Sequence, residues 1–259
     1  MVDIEKKQIL QIGNIISFIG MVVVNLLANA LPLNGKNTGE ISESYPNLFV
    51  PDGYVFSIWF LIYILLAIFS VYQAKDLFKS EKEDLPFIDD IGIFFIIANI
   101  GNILWIFFWH YELFLLPLIA ILILFLALLV IYLKLEIGVV EVPRNEKLFV
   151  HIPFSVYFGW LTVATVAQVT ALLVELGAPS YGLVAELLTI LVIIVVIVIG
   201  LLTVFSRNDI AYGLVLVWAS IGIFTKQLPS NFLISIIGLI AAIIVAAGII
   251  YKGYQLYIK

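Results

Sequence analysis

The side chains in this sequence that could take part in chemistry are aromatic rings and amides placed within long apolar runs. Seven of them fall in three predicted helices: Trp59, Tyr63, Asn102, Trp105, Tyr157, Trp160 and Gln168. Residues three or four positions apart share one face of an α-helix. Indole rings stack on flat conjugated molecules, and an indole N–H or a side-chain amide can bind a carbonyl or carboxylate of the same molecule. The set therefore predicts a binding site for a flat apolar ligand.

These residue types also have a structural interpretation, which the sequence alone leaves open. Asn and Gln hydrogen-bond between membrane helices, and Trp and Tyr collect at membrane interfaces. Trp109 and Tyr181 lie at predicted interfaces and are interpreted in this way. Trp59, Trp160 and Gln168 lie deeper in the predicted helices, and their convergence favours a site.

Several other kinds of site are excluded by residue content. The chain has no cysteine, which excludes disulfides, thiolate metal ligands and cysteine nucleophiles. Its two histidines, His110 and His151, fall on opposite sides of the predicted membrane and cannot share a metal ion. No Walker loop, GxGxxG motif or catalytic Ser/His/Asp set is present, and the basic residues form no cluster that would bind nucleic acid. No buried carboxylate relay is expected, which argues against an ion-coupled pump.

The elements that must position these side chains are membrane-spanning helices. Hydrophobic residues make up 63% of the 259 residues and charged residues 12%, a far more apolar composition than that of a soluble domain. At about 20 apolar residues per crossing, we predict eight helices: 8–31, 52–74, 91–109, 113–134, 149–174, 183–205, 210–226 and 232–257. The predicted fold class is an all-α integral membrane protein.

Basic residues are distributed unevenly among the predicted connections. Only Lys36 and Lys226, of the 13 Lys and Arg residues, lie on one side, and the positive-inside rule places the other side in the cytoplasm. We therefore expect a multi-pass protein of the cell membrane with both termini cytoplasmic. The longest extracytoplasmic connection, 34–50, is either a lid over the bundle or a solvated loop.

The first predicted helix carries a polar face. Asn14, Ser17, Asn25 and Asn29 are spaced so that they lie on one side of the helix. In lipid, polar side chains face other helices or a cavity, so this face is expected to point toward the inside of the bundle.

The aromatic and amide motifs resemble those of the TspO/MBR family, the tryptophan-rich sensory or translocator proteins. A proline-rich segment precedes the second helix of that family, with a Trp eight residues after the last proline and a Tyr four residues further on. Pro51, Trp59 and Tyr63 match this spacing. The N-x-x-W pattern of the family's third helix is matched by Asn102 and Trp105.

The fifth helix of the family carries a Y-x-x-W pattern followed by small residues and an amide. Tyr157 and Trp160 match this pattern, and Gln168 stands at the amide position. The sequence departs from the family where Val50 replaces the first proline of the pair and Val156 replaces the proline before the Tyr.

The resemblance implies a TspO-like five-helix core over residues 1–175, because the family is a five-helix bundle, and a three-helix extension over residues 182–259. It also implies a membrane-embedded binding or sensory protein for a hydrophobic ligand. Tetrapyrroles (porphyrins) and sterol-like or lipid molecules are the ligand classes that the family suggests. By the same resemblance, Trp59 and Trp160 correspond to two tryptophans implicated in porphyrin binding and light-dependent breakdown.

Other functions remain open at this point. Eight helices and the C-terminal extension favour, as an alternative, a permease or exporter of small hydrophobic molecules. Light-dependent porphyrin breakdown would make the protein an enzyme, and a structural role for partner proteins is a further alternative. No cofactor is required by any of these interpretations. The expected partners are the lipid bilayer and a hydrophobic small molecule, and the oligomeric state, including a homodimer, is left open.

Overall fold

The computed structural model describes residues 4–113 and 115–258, and within these residues every regular element is a helix. The long helices are α1 (Ile4–Ala30), α2 (Ile58–Gln73), α3 (Phe94–His110), α4 (Leu116–Lys134), α5 (Ile152–Glu175), α6 (Leu183–Arg207), α7 (Ile210–Gln227) and α8 (Phe232–Tyr257). A 3-10 turn, Gly53–Ser57, leads into α2, and a π-helical turn, Lys147–His151, leads into α5.

The lengths and compositions of these helices suit a membrane. In the described part of the chain, seven helical segments are long and apolar enough to cross it. α3 is also apolar but has 17 residues, slightly fewer than the usual crossing length of about 20. The predicted all-α multi-pass membrane fold is confirmed. The largest difference from the predicted helix ranges is at the start of α2, where residues 53–57 form the 3-10 turn instead of α-helix.

Polar residues mark the turns between the last three helices. Asn208 ends α6 in the left-handed conformation, with a φ of 57°, which Asn tolerates better than most residues with a Cβ. The Asp209 carboxylate then accepts a hydrogen bond from Tyr212 N–H and caps α7. Asn231 caps α8 in the same way, by accepting from Ile234 N–H. These caps satisfy N–H groups that a helix start leaves without partners.

The described chain forms two compact units, and the first contains residues up to 38 together with residues 60–158. Within it, α1 packs against α3 and α3 packs against α4. The backbones of α3 and α4 come close at Gly101, where a Cβ would lie 3.1 Å from Leu124 N. Three phenylalanines also pack edge to face, with ring centroids 4.9 to 5.5 Å apart: Phe69, Phe95 and Phe154.

The second unit contains residues 39–59 and the chain from residue 159 onward. Within it, α7 packs against α8, and α6 contacts both. Gly238 of α8 lies against α7, where a Cβ would be 3.0 Å from Phe224 N. The Tyr212 hydroxyl of α7 donates to the hydroxyl oxygen of Thr162 in α5 at 2.9 Å. The second unit therefore joins part of α5 to the C-terminal helices.

The boundaries between the units fall within two helices. α2 and α5 each contribute residues to both units, since the divisions lie after Trp59 and after Phe158. The predicted division into 1–175 and 182–259 rests on sequence motifs, and it stays a prediction. Lys259 lies outside the described residues.

Candidate ligand site

Residues 47–57, the segment that leads into α2, are held along α7 by hydrogen bonds. Asp52 N–H donates to the Gly222 carbonyl at 3.0 Å, and the Gln227 amide donates to the Leu48 carbonyl at 3.2 Å. The Leu48 side chain is buried. These bonds provide partners for backbone groups that neither lipid nor an apolar interior can satisfy. This end of the long predicted connection is therefore packed against protein.

Gly222 is a point of close approach between this segment and α7. A Cβ on Gly222 would overlap the Val55 side chain and would lie 2.8 Å from Pro51 Cβ. One turn away, Trp218 Nε1 donates to the Val55 carbonyl at 3.1 Å. Together these contacts fix the backbone immediately before Phe56.

Three aromatic side chains contact one another where this segment, α2 and α5 meet within the second unit. We call Phe56, Trp59 and Trp160 the aromatic cluster. The Trp160 ring meets Phe56 edge to face, with centroids 5.9 Å apart, and meets Trp59 in the same way at 6.2 Å. Ring quadrupoles favour this geometry. Trp160 is buried, whereas Phe56 and Trp59 are half-buried, so the last two form the accessible side of the cluster.

The indole N–H of Trp160 has no hydrogen-bond partner among residues 4–113 and 115–258, although it is buried. Buried N–H groups are paired in the great majority of cases, and exceptions call for an explanation. An indole N–H acts only as a donor. The aromatic cluster therefore contains one buried donor from which no described residue accepts.

A cavity of about 320 Å³ lies beside the aromatic cluster, with Phe56 in its wall. Asn47, Pro51 and Tyr181 also line it, and Lys226 supplies a basic group. This volume is at the lower end of the range of about 300–1,000 Å³ that is typical of ligand pockets. The arrangement combines apolar walls with a small number of polar groups, as such pockets usually do.

Asn102 and Tyr157, two of the predicted site residues, hydrogen-bond within the first unit. The Asn102 carbonyl oxygen accepts from the Asn25 amide at 2.7 Å, and the Asn102 amide nitrogen lies 3.4 Å from the Tyr157 hydroxyl. All three side chains are buried. Both ends of the Asn102 amide are therefore used by the protein itself, which favours a packing role for it.

Tyr63 and Trp105 also belong to the first unit. Tyr63 is half-buried and lines an apolar groove of about 290 Å³ together with Phe18 and Phe60. Trp105 stacks on Trp109, with centroids 6.0 Å apart and the planes 16° from parallel. Neither residue is part of the aromatic cluster.

The structure therefore divides the predicted site residues between the two units. Trp59 and Trp160 lie in contact in the second unit, where Gln168 is also buried. The other four lie in the first unit: Tyr63, Asn102, Trp105 and Tyr157. Phe56 was not among the predicted residues, and its position three residues before Trp59 is the signal that would have found it. Ligand binding by any of these residues stays a prediction.

Comparison with known families identifies the chain. A family model described as TSPO-like protein matches residues 9–251. The chain belongs to the TSPO-like protein family. A search of curated proteins found no match, and neither did a search of solved structures.

The match to the TSPO-like family extends over all of the long helices. Motifs alone placed the end of the resemblance near residue 175, whereas the family model continues through α6 and α7 and into α8. In the structure, residues 47–57 contact α7 by hydrogen bonds. The segment that carries the proline motif and the C-terminal helices pack in one unit.

Sequence reasoning missed a buried ion pair in this TSPO-like protein. Lys7 Nζ lies 2.5 Å from Asp76 Oδ2, and both side chains are buried. Gln11 Nε2 donates to the other carboxylate oxygen at 2.8 Å. Both charged residues fall just outside the predicted spans 8–31 and 52–74. The signal was the spacing of Lys7, Gln11 and Asn14, which extends the polar face of the first helix toward its start.

The surroundings of Asp76 keep it ionised. Burial alone would raise the pKa of Asp76, but hydrogen bonds from Lys7, Gln11 and the Glu83 N–H stabilise the charged form and lower the pKa to about 2. The Asp76 carboxylate therefore stays charged at neutral pH. The ion pair ties the first turns of α1 to the chain that follows α2.

Proposed function

We propose that this TSPO-like membrane protein binds a flat apolar ligand at the aromatic cluster. The observation that carries the proposal is the unpaired indole N–H of Trp160, buried behind two half-exposed aromatic rings. A ligand that stacks on Phe56 and Trp59 gains apolar burial, and an acceptor on its edge gains the Trp160 donor.

Tetrapyrroles and sterol-like molecules are the ligand classes to test, as in the family that the motifs resemble. The cavity volume of about 320 Å³ favours compact polycyclic ligands, and a whole tetrapyrrole extends beyond it. Lys226 lines the cavity and forms no ion pair among the described residues. A ligand with one carboxylate group is therefore expected to bind more tightly than its neutral amide.

Tryptophan fluorescence tests this proposal directly. A flat polycyclic carboxylate titrated into the purified protein is expected to quench emission in a saturable way. The Trp160→Phe variant should show weaker binding, because it keeps a ring and loses the donor. Trp109→Phe is the matched control, since Trp109 Nε1 donates to the Thr38 carbonyl in the first unit. Equal affinities for the two variants would contradict the proposal.

The same site is expected to retain its ligand and not to conduct it. Purified protein in sealed vesicles should bind the ligand without moving it across the membrane. Ligand that accumulates inside vesicles only when the protein is present would instead show that the chain is a permease.

We also propose that the chain lies in the cell membrane with both termini in the cytoplasm. The distribution of Lys and Arg supports this orientation. Because the chain has no cysteine, the reactivity of a single introduced cysteine shows on which side of the membrane that residue lies. Ser42→Cys is expected to react with an impermeant reagent from outside the cell, and Tyr257→Cys only after the cells are opened. Labelling of both from the same side would contradict this topology.

A further inference from the structure

Two side chains of opposite charge line the cavity beside the aromatic cluster. Glu43 is the last residue of a short helix, Thr38–Glu43, and Lys226 lies in the last turn of α7. Glu43 is exposed, whereas Lys226 is half-buried. A cation is favourable at the C-terminal end of a helix and a carboxylate is not. Helix electrostatics therefore favours Lys226 at its position and gives Glu43 no stabilisation there.

The protein supplies no counterion for either charge. Glu43 and Lys226 belong to no ion pair among the described residues, and they do not pair with each other although both line one cavity. By contrast, Lys36, the other basic residue on the sparsely basic side, pairs with Glu112 at 2.6 Å. An unpaired charge in a cavity wall attracts a group of opposite charge on a bound molecule.

The two side-chain amides that line the same cavity are already used by the protein. Asn47 Oδ1 accepts from two backbone N–H groups at 3.0 and 3.1 Å, and its nitrogen donates to the Tyr45 carbonyl at 3.1 Å. The Gln227 amide donates to the Leu48 carbonyl, and its oxygen accepts from the Ser230 hydroxyl at 3.3 Å. The charged groups, and not these amides, are therefore left for the polar groups of a ligand.

We propose that the ligand of this cavity carries an amine as well as a carboxylate, and that Glu43 binds the amine while Lys226 binds the carboxylate. This inference rests on the proposed function, because it concerns the same cavity. A ligand with a carboxylate alone would be attracted by Lys226 and repelled by Glu43. Tyr45 and Tyr181 also line the cavity, and aromatic faces attract organic cations. The ligand class is therefore a flat aromatic molecule that carries both charges.

Three naphthalene compounds separate the two charges experimentally. Naphthylethylamine carries only the amine, naphthylpropionate carries only the carboxylate, and naphthylalanine carries both. Isothermal titration calorimetry measures their affinities for the purified chain in an uncharged detergent. The salt concentration is held at about 0.15 M, where exposed charges more than about 8 Å apart are largely screened, so the affinities report on charges close to the ligand.

The two charge-removing variants should affect the two singly charged compounds in opposite directions. Glu43→Gln is expected to weaken naphthylethylamine binding by about five-fold, the upper range for an exposed ion pair, and to strengthen naphthylpropionate binding because it removes a repulsion. Lys226→Gln should strengthen naphthylethylamine binding and weaken naphthylpropionate binding. Naphthylalanine should lose affinity in both variants. A change of packing would instead shift all three affinities in the same direction.

Glu40→Gln is the matched control for Glu43→Gln. Glu40 lies on the same short helix but does not line the cavity, so its loss should change each affinity by less than about two-fold. Equal changes in naphthylethylamine affinity for the two variants would overturn the proposal, because the amine would then sense only the net charge of the helix. Loss of naphthylalanine affinity in only one of Glu43→Gln and Lys226→Gln would also overturn it.

Trp160→Phe distinguishes this inference from the proposed function on which it rests. If Trp160→Phe weakens naphthylpropionate binding while Glu43→Gln leaves naphthylethylamine binding unchanged, the aromatic site stands and the amine site is refuted. If Trp160→Phe has no effect while the opposite shifts of Glu43→Gln are observed, the charged pair stands and the role of the aromatic cluster is refuted.

Discussion

Two predicted site residues, Asn102 of the first unit and Trp160 of the second unit, differ in whether the protein satisfies their buried polar groups. In the first unit, polar side chains of α1 form hydrogen bonds with α2 and α3, and Asn102 is bonded at both ends of its amide. In the second unit, the Trp160 N–H is buried among aromatic rings and no described residue accepts from it. Both Asn102 and Trp160 are predicted site residues, so the same sequence signal has two structural outcomes.

This difference indicates where an organic ligand is expected. A polar group that the protein already satisfies contributes to packing and specificity, while an unpaired buried donor is left for a bound molecule to satisfy. The second unit therefore carries the candidate site for an apolar ligand. The polar face of α1 holds α2 and α3 against α1 in the first unit.

The largest expected effect follows from breaking the buried ion pair of the first unit. Lys7→Met leaves Asp76 buried without its cation and should lower the free energy of unfolding by about 3–5 kcal/mol. Lys79→Met is the matched control, because Lys79 pairs with Glu83 while 58% exposed and such pairs contribute about 0–1 kcal/mol. Unfolding by SDS titration measures both. Equal losses would show that the Lys7–Asp76 pair is not buried.

The next effect tests how α7 positions the segment before α2. Gly222→Ala places a methyl group against Val55 and Pro51 and should destabilise the protein by about 1–3 kcal/mol through overpacking. It should also weaken ligand binding, since the displaced segment carries Phe56. Gly253→Ala is the control, because its added Cβ would meet only the end of the Ile210 side chain at 4.0 Å. Unchanged ligand affinity in Gly222→Ala would show that residues 47–57 do not contribute to the ligand site.

Removing the free donor of the second unit should have a smaller effect. Trp160→Phe is expected to weaken binding of a carbonyl or carboxylate ligand by about 0.5–1.5 kcal/mol, the usual value of one hydrogen bond. The melting temperature of the unliganded protein should change less than for Trp218→Phe, in which the bond to the Val55 carbonyl is lost. Isothermal titration calorimetry measures the first quantity, and a thermal scan measures the second.

The smallest effect is expected from changes of pH above 5. The pKa of Asp76 is lowered from its ordinary value of 3.8 to about 2 in the folded protein. Its contribution to stability is therefore complete above the unfolded value and is lost as the pH falls from about 4 toward 2. Between pH 5 and 8, Asp76 should add no pH dependence to the free energy of unfolding of the wild type. A loss of wild-type stability as the pH falls from 7 to 5 that is absent from Asp76→Asn would contradict the assigned ionisation of Asp76.

Much of the fold follows from the amino-acid composition and from the spacing of polar and apolar residues along the chain. Long apolar runs separated by prolines and charged residues predict the helices, and local capping by Asp209 and Asn231 sets where α7 and α8 begin. The 3-10 turn at Gly53–Ser57 was not predicted, because its shape depends on contacts with α7 such as the bond from Trp218 to Val55, 163 residues apart in the chain.

The candidate site was predicted in part. The helical motifs identify Trp59 and Trp160, which meet in the structure at 6.2 Å. Nothing in the sequence shows that the Asn102 amide is satisfied by Asn25, since that partner lies 77 residues away. The burial of Asp76 was missed for a related reason. A charged residue just beyond a helix end looks solvated unless its partner, here Lys7, is known to reach it.

Photo-crosslinking tests the central claim, that an apolar ligand binds in the second unit. A flat polycyclic carboxylate that carries a diazirine is irradiated with the protein in nanodiscs, and labelled peptides are mapped by mass spectrometry. Labels are expected on residues 47–59 and around Trp160, and excess unlabelled ligand should reduce them. Labels confined to the groove of Phe18 and Tyr63, or to the surroundings of Trp105, would instead show that the ligand binds in the first unit.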